Sequence, residues 1–249
     1  MNIIRKDKEK VIFSVEMTES LANAIRRSVN EIPVLAIDEV ELYKNDSVLY
    51  DEIVAHRLGL IPLKMEKGMN MKSECSCKGE GCAKCTVQLK LVVSKPGYVY
   101  SSDLKGKADV VHGNIPITFL REDQEIEVVA TAILGKATEH AKFSPGLVYY
   151  RKLANVEVKN CNACKECVDA CPLKLISVEK KAEVKDVWKC DLCESCVEAC
   201  KKSGSDAIKI TPSNEMVFFV ESFGQLDAKD ILIQAVEALK DNLKVVEKA

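Results

Sequence analysis

Eight cysteines between positions 161 and 200 constrain this chain more than any other feature. Cys161, Cys164, Cys167 and Cys171 follow the spacing C-x-x-C-x-x-C-x-x-x-C, and Cys190, Cys193, Cys196 and Cys200 repeat it at a constant offset of 29 residues. Val168 and Val197, and Ala170 and Ala199, keep the same offset. Three thiolates on one tight loop reach three corners of a cubane, while the fourth cysteine leads into a helix and ligates the other cluster. The spacing therefore assigns Cys161, Cys164, Cys167 and Cys200 to one 4Fe-4S cluster, and Cys190, Cys193, Cys196 and Cys171 to a second. Pro172 gives the first run its usual Cys-Pro ending, and Lys201 stands there after the second. Proline shapes that turn without ligating, so the ligand sets are unaffected. Zinc fits these runs less well, because each offers a third cysteine at a two-residue gap, and a reducing compartment disfavours disulfides. The sequence leaves open whether a cluster has lost one iron to become 3Fe-4S.

The other four of the twelve cysteines, Cys75, Cys77, Cys82 and Cys85, form C-x-C-x(4)-C-x-x-C, with Gly79 and Gly81 giving the loop freedom to fold back. Four thiolates suit a closed tetrahedral zinc site that ties down a loop with little apolar content. Four protein ligands leave no open position for catalysis. A vacant or partly occupied site is the alternative.

The 249 residues, 47% hydrophobic, are enough for one large domain or two smaller ones with a proper core. A formal charge of -2 argues against a chain that grips nucleic acid over its whole surface, so any DNA contact is local or indirect. No stretch approaches the roughly 20 apolar residues of a membrane helix, and Met1 to Lys10 is too charged for a secretory signal. The expectation is a cytoplasmic protein.

All twelve cysteines fall between 75 and 200, which suggests insertions in a cysteine-free frame. Val11 to Val15 reads as a strand. Thr18 then caps a helix with Leu21, Ile25, Val29 and Ile32 at helical spacing, stopped by Pro33. Val34 to Leu42 reads as a strand, and Asp51 to Leu58 as a short helix closed by Gly59. Val87 to Ile133 is a series of short β-like runs, and Met216 to Phe223 returns to strand composition. The last segment opens with a capping signal, Asp227 with Asp230 three residues on, and continues with Leu232, Val236, Leu239, Leu243 and Val246. Their alternating steps of four and three make the seam that one helix presents to another, or the face that packs on its own sheet.

Catalytic machinery is missing from the sequence. There is no Walker-type phosphate loop and no G-x-S-x-G elbow, and His56, His112 and His140 are far apart in sequence. Arg26 and Arg27 sit beside the apolar stripe of the first helix, where they read as a solvated face or a partner contact.

Three segments carry a resemblance to a known family. The segment from Leu21 to Val40, containing Ala24-Ile-Arg-Arg-Ser28 and Ile32-Pro-Val-Leu-Ala-Ile37, resembles the signature of the alpha-like subunits of DNA-directed RNA polymerase. The segments Val48 to Leu63 and Glu139-His-Ala-Lys-Phe-Ser-Pro145 are similar to the archaeal and eukaryotic branch of that family. With the ferredoxin-like insertion, the chain is identified as an archaeal D-type member. The resemblance implies an α+β fold. A discontinuous alpha-like dimerisation domain (1–45 and 213–249) carries an inserted mostly-β domain (46–158, with the zinc loop at 75–85) and a ferredoxin-like 2x4Fe-4S insertion (159–212).

It also implies a non-catalytic assembly platform. The C-terminal seam pairs with a smaller alpha-like partner, subunit L, and the remaining surface recruits small subunits N and P and the two large catalytic subunits. Arg26 and Arg27 match an arginine pair that contacts a large subunit, His140 to Pro145 matches a docking loop or plain turn, and Cys75 to Cys85 matches a zinc position in eukaryotic relatives. The rival reading is an electron-transfer iron-sulfur protein. Against it stand the long cysteine-free frame and the lack of any flavin or nicotinamide fingerprint. Each cluster would tie together a small insertion with little core, either stabilising it or coupling redox state to assembly.

Overall fold

A computed structural model describes residues 1–64 and 68–248 of the chain. The strands run Asn2–Lys6 (β1), Lys10–Glu16 (β2), Val34–Asn45 (β3), Thr86–Val93 (β4), Gly97–Tyr100 (β5), Lys105–Gly106 (β6), Pro116–Leu120 (β7), Ile126–Gly135 (β8), Gly146–Val158 (β9), Ile176–Val178 (β10), Ala182–Val184 (β11) and Ile208–Ser222 (β12). The α-helices among the described residues are Glu19–Ser28 (α1), Asp51–Gly59 (α2), Glu166–Ala170 (α3), Ser195–Lys202 (α4) and Ala228–Glu247 (α5). They divide into two compact units. One comprises Met1–Lys6, Val11–Asn23 and Tyr149–Phe219; the other comprises Asp7–Lys10, Ala24–Val148 and Val220 onward.

The first unit holds the sheet β1-β2-β12-β9. Val11, Ile12 and Phe13 are buried in succession on β2, as are Met216 to Val220 on β12, so both faces of these strands are covered. Phe13 stacks on Phe218 with centroids 5.2 Å apart, and Ile12, Val217 and Phe219 form a small core joined by Trp188. Further along, Ala154 of β9 and Ile208 and Ile210 of β12 enter a second core with cysteines of α3 and α4. The short β10-β11 hairpin, in register Ile176↔Val184, belongs to that core.

The second unit is built on the antiparallel sheet β3-β8-β4-β6, with β8 central. Ile126, Val128, Ala130, Ala132 and Leu134 of β8 are buried on one face beside Val87, Leu89 and Leu91 of β4. This is the period-two alternation of a sheet with one covered face. Val54 and Leu58 of α2 close over it with Ile61 and Leu63.

Several local expectations change. The first helix ends at Ser28 and tightens into a one-turn 3-10 segment, Val29–Glu31, so Ile32 lies beyond it. Ser28 Oγ bonds back to the Ala24 carbonyl at 2.9 Å, an alternative to helix continuation just before Pro33 removes a donor. Ile25, Val29 and Ile32 are buried, but Leu21 is 45% exposed. Thr18 Oγ1 does accept from the Leu21 N–H, at 3.4 Å. Gly59 is the last residue of α2 and keeps negative φ, and the helix closes on Leu60, whose N–H bonds to the Arg57 carbonyl. Asp227 caps α5 through its backbone carbonyl alone, accepting from Asp230 and Ile231.

Strand β3 ends at Asn45 and β9 at Val158, whereas β12 runs unbroken from Ile208 through Pro212 to Ser222.

Candidate metal centres

In the second unit, the loop between Lys72 and Thr86 brings Cys75, Cys77, Cys82 and Cys85 together, all four sulfurs within 4.8 Å of one another. Cys75 and Cys82 lie 3.6 Å apart, Cys77 and Cys85 3.6 Å, and Cys82 and Cys85 3.9 Å. A tetrahedron with zinc–sulfur bonds of about 2.3 Å has sulfur–sulfur edges of about 3.8 Å, whereas a disulfide is about 2.05 Å long. The spacing fits one mononuclear ion held by four thiolates. Gly79 and Gly81 have φ of +87° and +91°, the left-handed region that lets their amides turn toward sulfur. The Gly81 N–H is the main cause that draws the Cys77 thiol down to about 6, so it is a ready thiolate at neutral pH. Cys85 accepts from the Cys82 N–H, yet burial and the neighbouring thiols push it up to about 11. A cation would offset that crowding.

In the first unit, the 29-residue repeat of the sequence becomes a repeat of backbone geometry. Ala163 and Leu192 both have positive φ, +58° and +61°, and so do Lys165 and Glu194, +69° and +59°. Asn162 Oδ1 accepts from the Cys164 N–H at 3.3 Å, and Asp191 Oδ1 accepts from the Cys193 N–H at 3.2 Å. Each loop winds its cysteines inward in the same way and then enters a helix, α3 or α4. Cys171, Cys190, Cys193 and Cys196 line one apolar cavity with Val156, Leu175, Ile176 and Ile210. Burial, then the thiols of Cys171, Cys190 and Cys193, push Cys196 up to about 11. Burial, then Cys161, Cys164 and Cys200, likewise raise Cys167. Cys171 thus lies beside the thiols of the second run, and Cys200 beside Cys167 of the first.

The donor set and the apolar walls suit iron-sulfur clusters, and the sulfurs are too widely spaced for one small ion. Among the described residues only Cys75 to Cys85 meet that tighter geometry. Backbone donors that the sequence does not announce also reach sulfur: Ala182 N–H to Cys161 and Leu175 N–H to Cys171, both at 3.4 Å. Ser203 Oγ lies 3.5 Å from Cys164 Sγ and is the leading cause that lowers that thiol. Cys164 and Cys193, equivalent by the repeat, are the exposed cysteine of each group.

The seam of α5 is partly covered within the chain and emerges toward the end of the helix. Ala228, Ile231 and Ala235 are buried, whereas Leu232, Val236 and Leu239 are only half-buried, and Leu243 and Val246 are 55% and 71% exposed. Arg26 is half-buried and Arg27 exposed on α1. His56 and His140, distant in sequence, line one shallow cavity with Asp38 and Lys142, where Lys142 pairs with Asp38 at 2.8 Å. His140 Nδ1 accepts from the Lys142 N–H at 3.1 Å, which orders its turn. His112 is not part of that cavity lining.

Comparison with known proteins gives two family matches. The RNA polymerase Rpb3/RpoA insert domain matches residues 36–147, and the 4Fe-4S dicluster domain matches residues 154–201. The chain is 37% identical to DNA-directed RNA polymerase subunit Rpo3 of Archaeoglobus fulgidus, over 100% of its own length and 96% of that protein. It is 39% identical to the subunit Rpo3 of Methanothermobacter thermautotrophicus (97% and 95% covered) and 34% to that of Pyrococcus furiosus (96% and 92%). No helix among the described residues is long and apolar enough to cross a membrane.

Proposed function

Because the chain belongs to the Rpo3 family of DNA-directed RNA polymerase subunits, we propose that it is an assembly platform without catalytic residues of its own. The observation that carries this reading is the α5 stripe Leu232, Val236, Leu239, Leu243 and Val246. It is apolar, runs in steps of four and three, and is left half-buried to exposed while Ala228, Ile231 and Ala235 take the intrachain packing. Such a stripe is what one helix offers to a partner helix. Its partner is an L-type alpha-like subunit, and burial of the stripe fixes the pair on which subunits N and P and the large catalytic subunits gather. Arg26 and Arg27 on α1 face a large subunit. The pairing function belongs to residues 1–45 and 213–249, with 46–158 and 159–212 as insertions.

Cys161, Cys164, Cys167 and Cys200 hold one 4Fe-4S cluster, and Cys190, Cys193, Cys196 and Cys171 hold the other. Cys75, Cys77, Cys82 and Cys85 hold zinc. The clusters cross-link the two cysteine loops of 159–212, and the exposed Cys164 and Cys193 corners make their integrity sensitive to oxidants. The protein works in the cytoplasm and meets DNA only through the complex.

The test is reconstitution from separate subunits. Omitting this chain should leave the large catalytic subunits unassembled, and adding it back should restore their complex. Large subunits that associate equally well without it would overturn the proposal.

A further inference from the structure

Trp188 sits in a one-turn 3-10 segment, Val187–Lys189, that ends directly on Cys190. The turn is closed by the Lys189 N–H to the Asp186 carbonyl at 2.7 Å and the Cys190 N–H to the Val187 carbonyl at 3.0 Å. Asp186 is held at φ +49° and paired with Lys189 at 2.6 Å. A displacement of Cys190 therefore carries Trp188 with it. On its other side Trp188 meets the four-stranded sheet. Its carbonyl accepts from Arg151 Nη2 of β9 at 2.8 Å, and its ring lies 6.3 Å from that of Phe219 on β12. The Arg151 guanidinium lies 5.0 Å from the Phe219 ring, and Tyr149 stacks on Phe219 at 4.6 Å. Arg151 Nε is buried with no hydrogen-bond partner among the described residues, so the bond to Trp188 weighs heavily in how this side chain is satisfied.

We propose that Arg151 and Trp188 form a latch that holds the loop of Cys190, Cys193 and Cys196 on the Phe219 face of the sheet, so that loss of the second cluster frees that face. The latch makes the sheet a sensor of one cluster and not the other. The 29-residue counterpart of Trp188 is Lys159, whose N–H bonds to the Ala207 carbonyl, so the first loop joins the strands through backbone and has no aromatic anchor at that position. This inference rests on the assignment of a cluster to the second group of cysteines.

Trp188 is the single tryptophan of the chain, so emission from the full protein reports it alone. Anaerobically purified protein is mixed with an iron chelator, and released iron and tryptophan emission are followed together. In the wild type, the emission moves to the red in step with loss of one half of the iron. In Arg151→Met that half leaves several-fold faster while the other half leaves at the wild-type rate. Arg151→Lys, which keeps the charge, falls between them. Phe219→Leu, which removes the ring contact while keeping an apolar side chain, also speeds loss of that half. Iron lost from Arg151→Met and Phe219→Leu at the wild-type rate, with unchanged emission, would overturn the latch alone. Protein that binds no iron would overturn the cluster assignment and the latch with it.

Discussion

Cys77 Sγ lies 3.6 Å from Cys85 Sγ, far beyond a disulfide and close to the edge of a four-thiolate tetrahedron. The loop around them is shaped for an ion by Gly81, whose φ of +91° only glycine adopts freely. Cys77→Ser should lower bound zinc from about one per chain to nearly none. Gly81→Ala costs about 1–2 kcal/mol of left-handed strain, or roughly tenfold weaker zinc binding. Competition with a zinc chelator measures both; unchanged affinity in both variants would remove zinc from the account.

Ala163 and Leu192 each occupy the left-handed region without being glycine. Ala163→Gly should be neutral or stabilise the iron-sulfur unit by up to about 1 kcal/mol. Ala163→Val should destabilise it by about 1–2 kcal/mol, because a β-branched residue fits that conformation worst. Denaturant titration under anaerobic conditions separates the two.

Opposite sides of α5 should respond differently. Ile231 is fully buried, so Ile231→Ala should cost the isolated chain about 2–5 kcal/mol. Leu243 is 55% exposed, and Leu243→Ala should change stability by less than about 0.5 kcal/mol. Thermal melts of the two variants check this directly.

The gathering of Cys75, Cys77, Cys82 and Cys85 within 4.8 Å of one another was legible in the sequence, because the spacing of cysteines on one loop is a local property. The inward winding was not, since Ala163 and Leu192 carry no glycine signal and adopt positive φ only under the constraint of the loop. The alternating strands β4 and β8 were readable from their apolar period. Strand β12 begins at Ile208, ahead of the Met216 start read from composition, and passes through Pro212. That proline is exposed in mid-strand, where its missing donor is tolerated. The nearness of His56 to His140 and of Arg151 to Trp188 depends on long-range packing, which no local pattern encodes.

Cys164 and Cys193 are the exposed corners of the two cysteine groups. The double variant Cys164→Ser, Cys193→Ser should leave pairing with an L-type partner intact and weaken later recruitment of the large subunits. Pull-down of the large subunits by the purified pair reads this. Full recruitment by the double variant would show that the clusters do not support assembly.

The central claim rests on the α5 stripe, and the mass of the complex in solution tests it most directly. Light scattering of the chain co-expressed with an L-type subunit should give a one-to-one pair for the wild type and separate subunits for Leu239→Asp, Leu243→Asp, with the variant chain still folded. A wild-type chain that stays monomeric beside that partner, or a double variant that pairs as tightly as the wild type, would contradict the account.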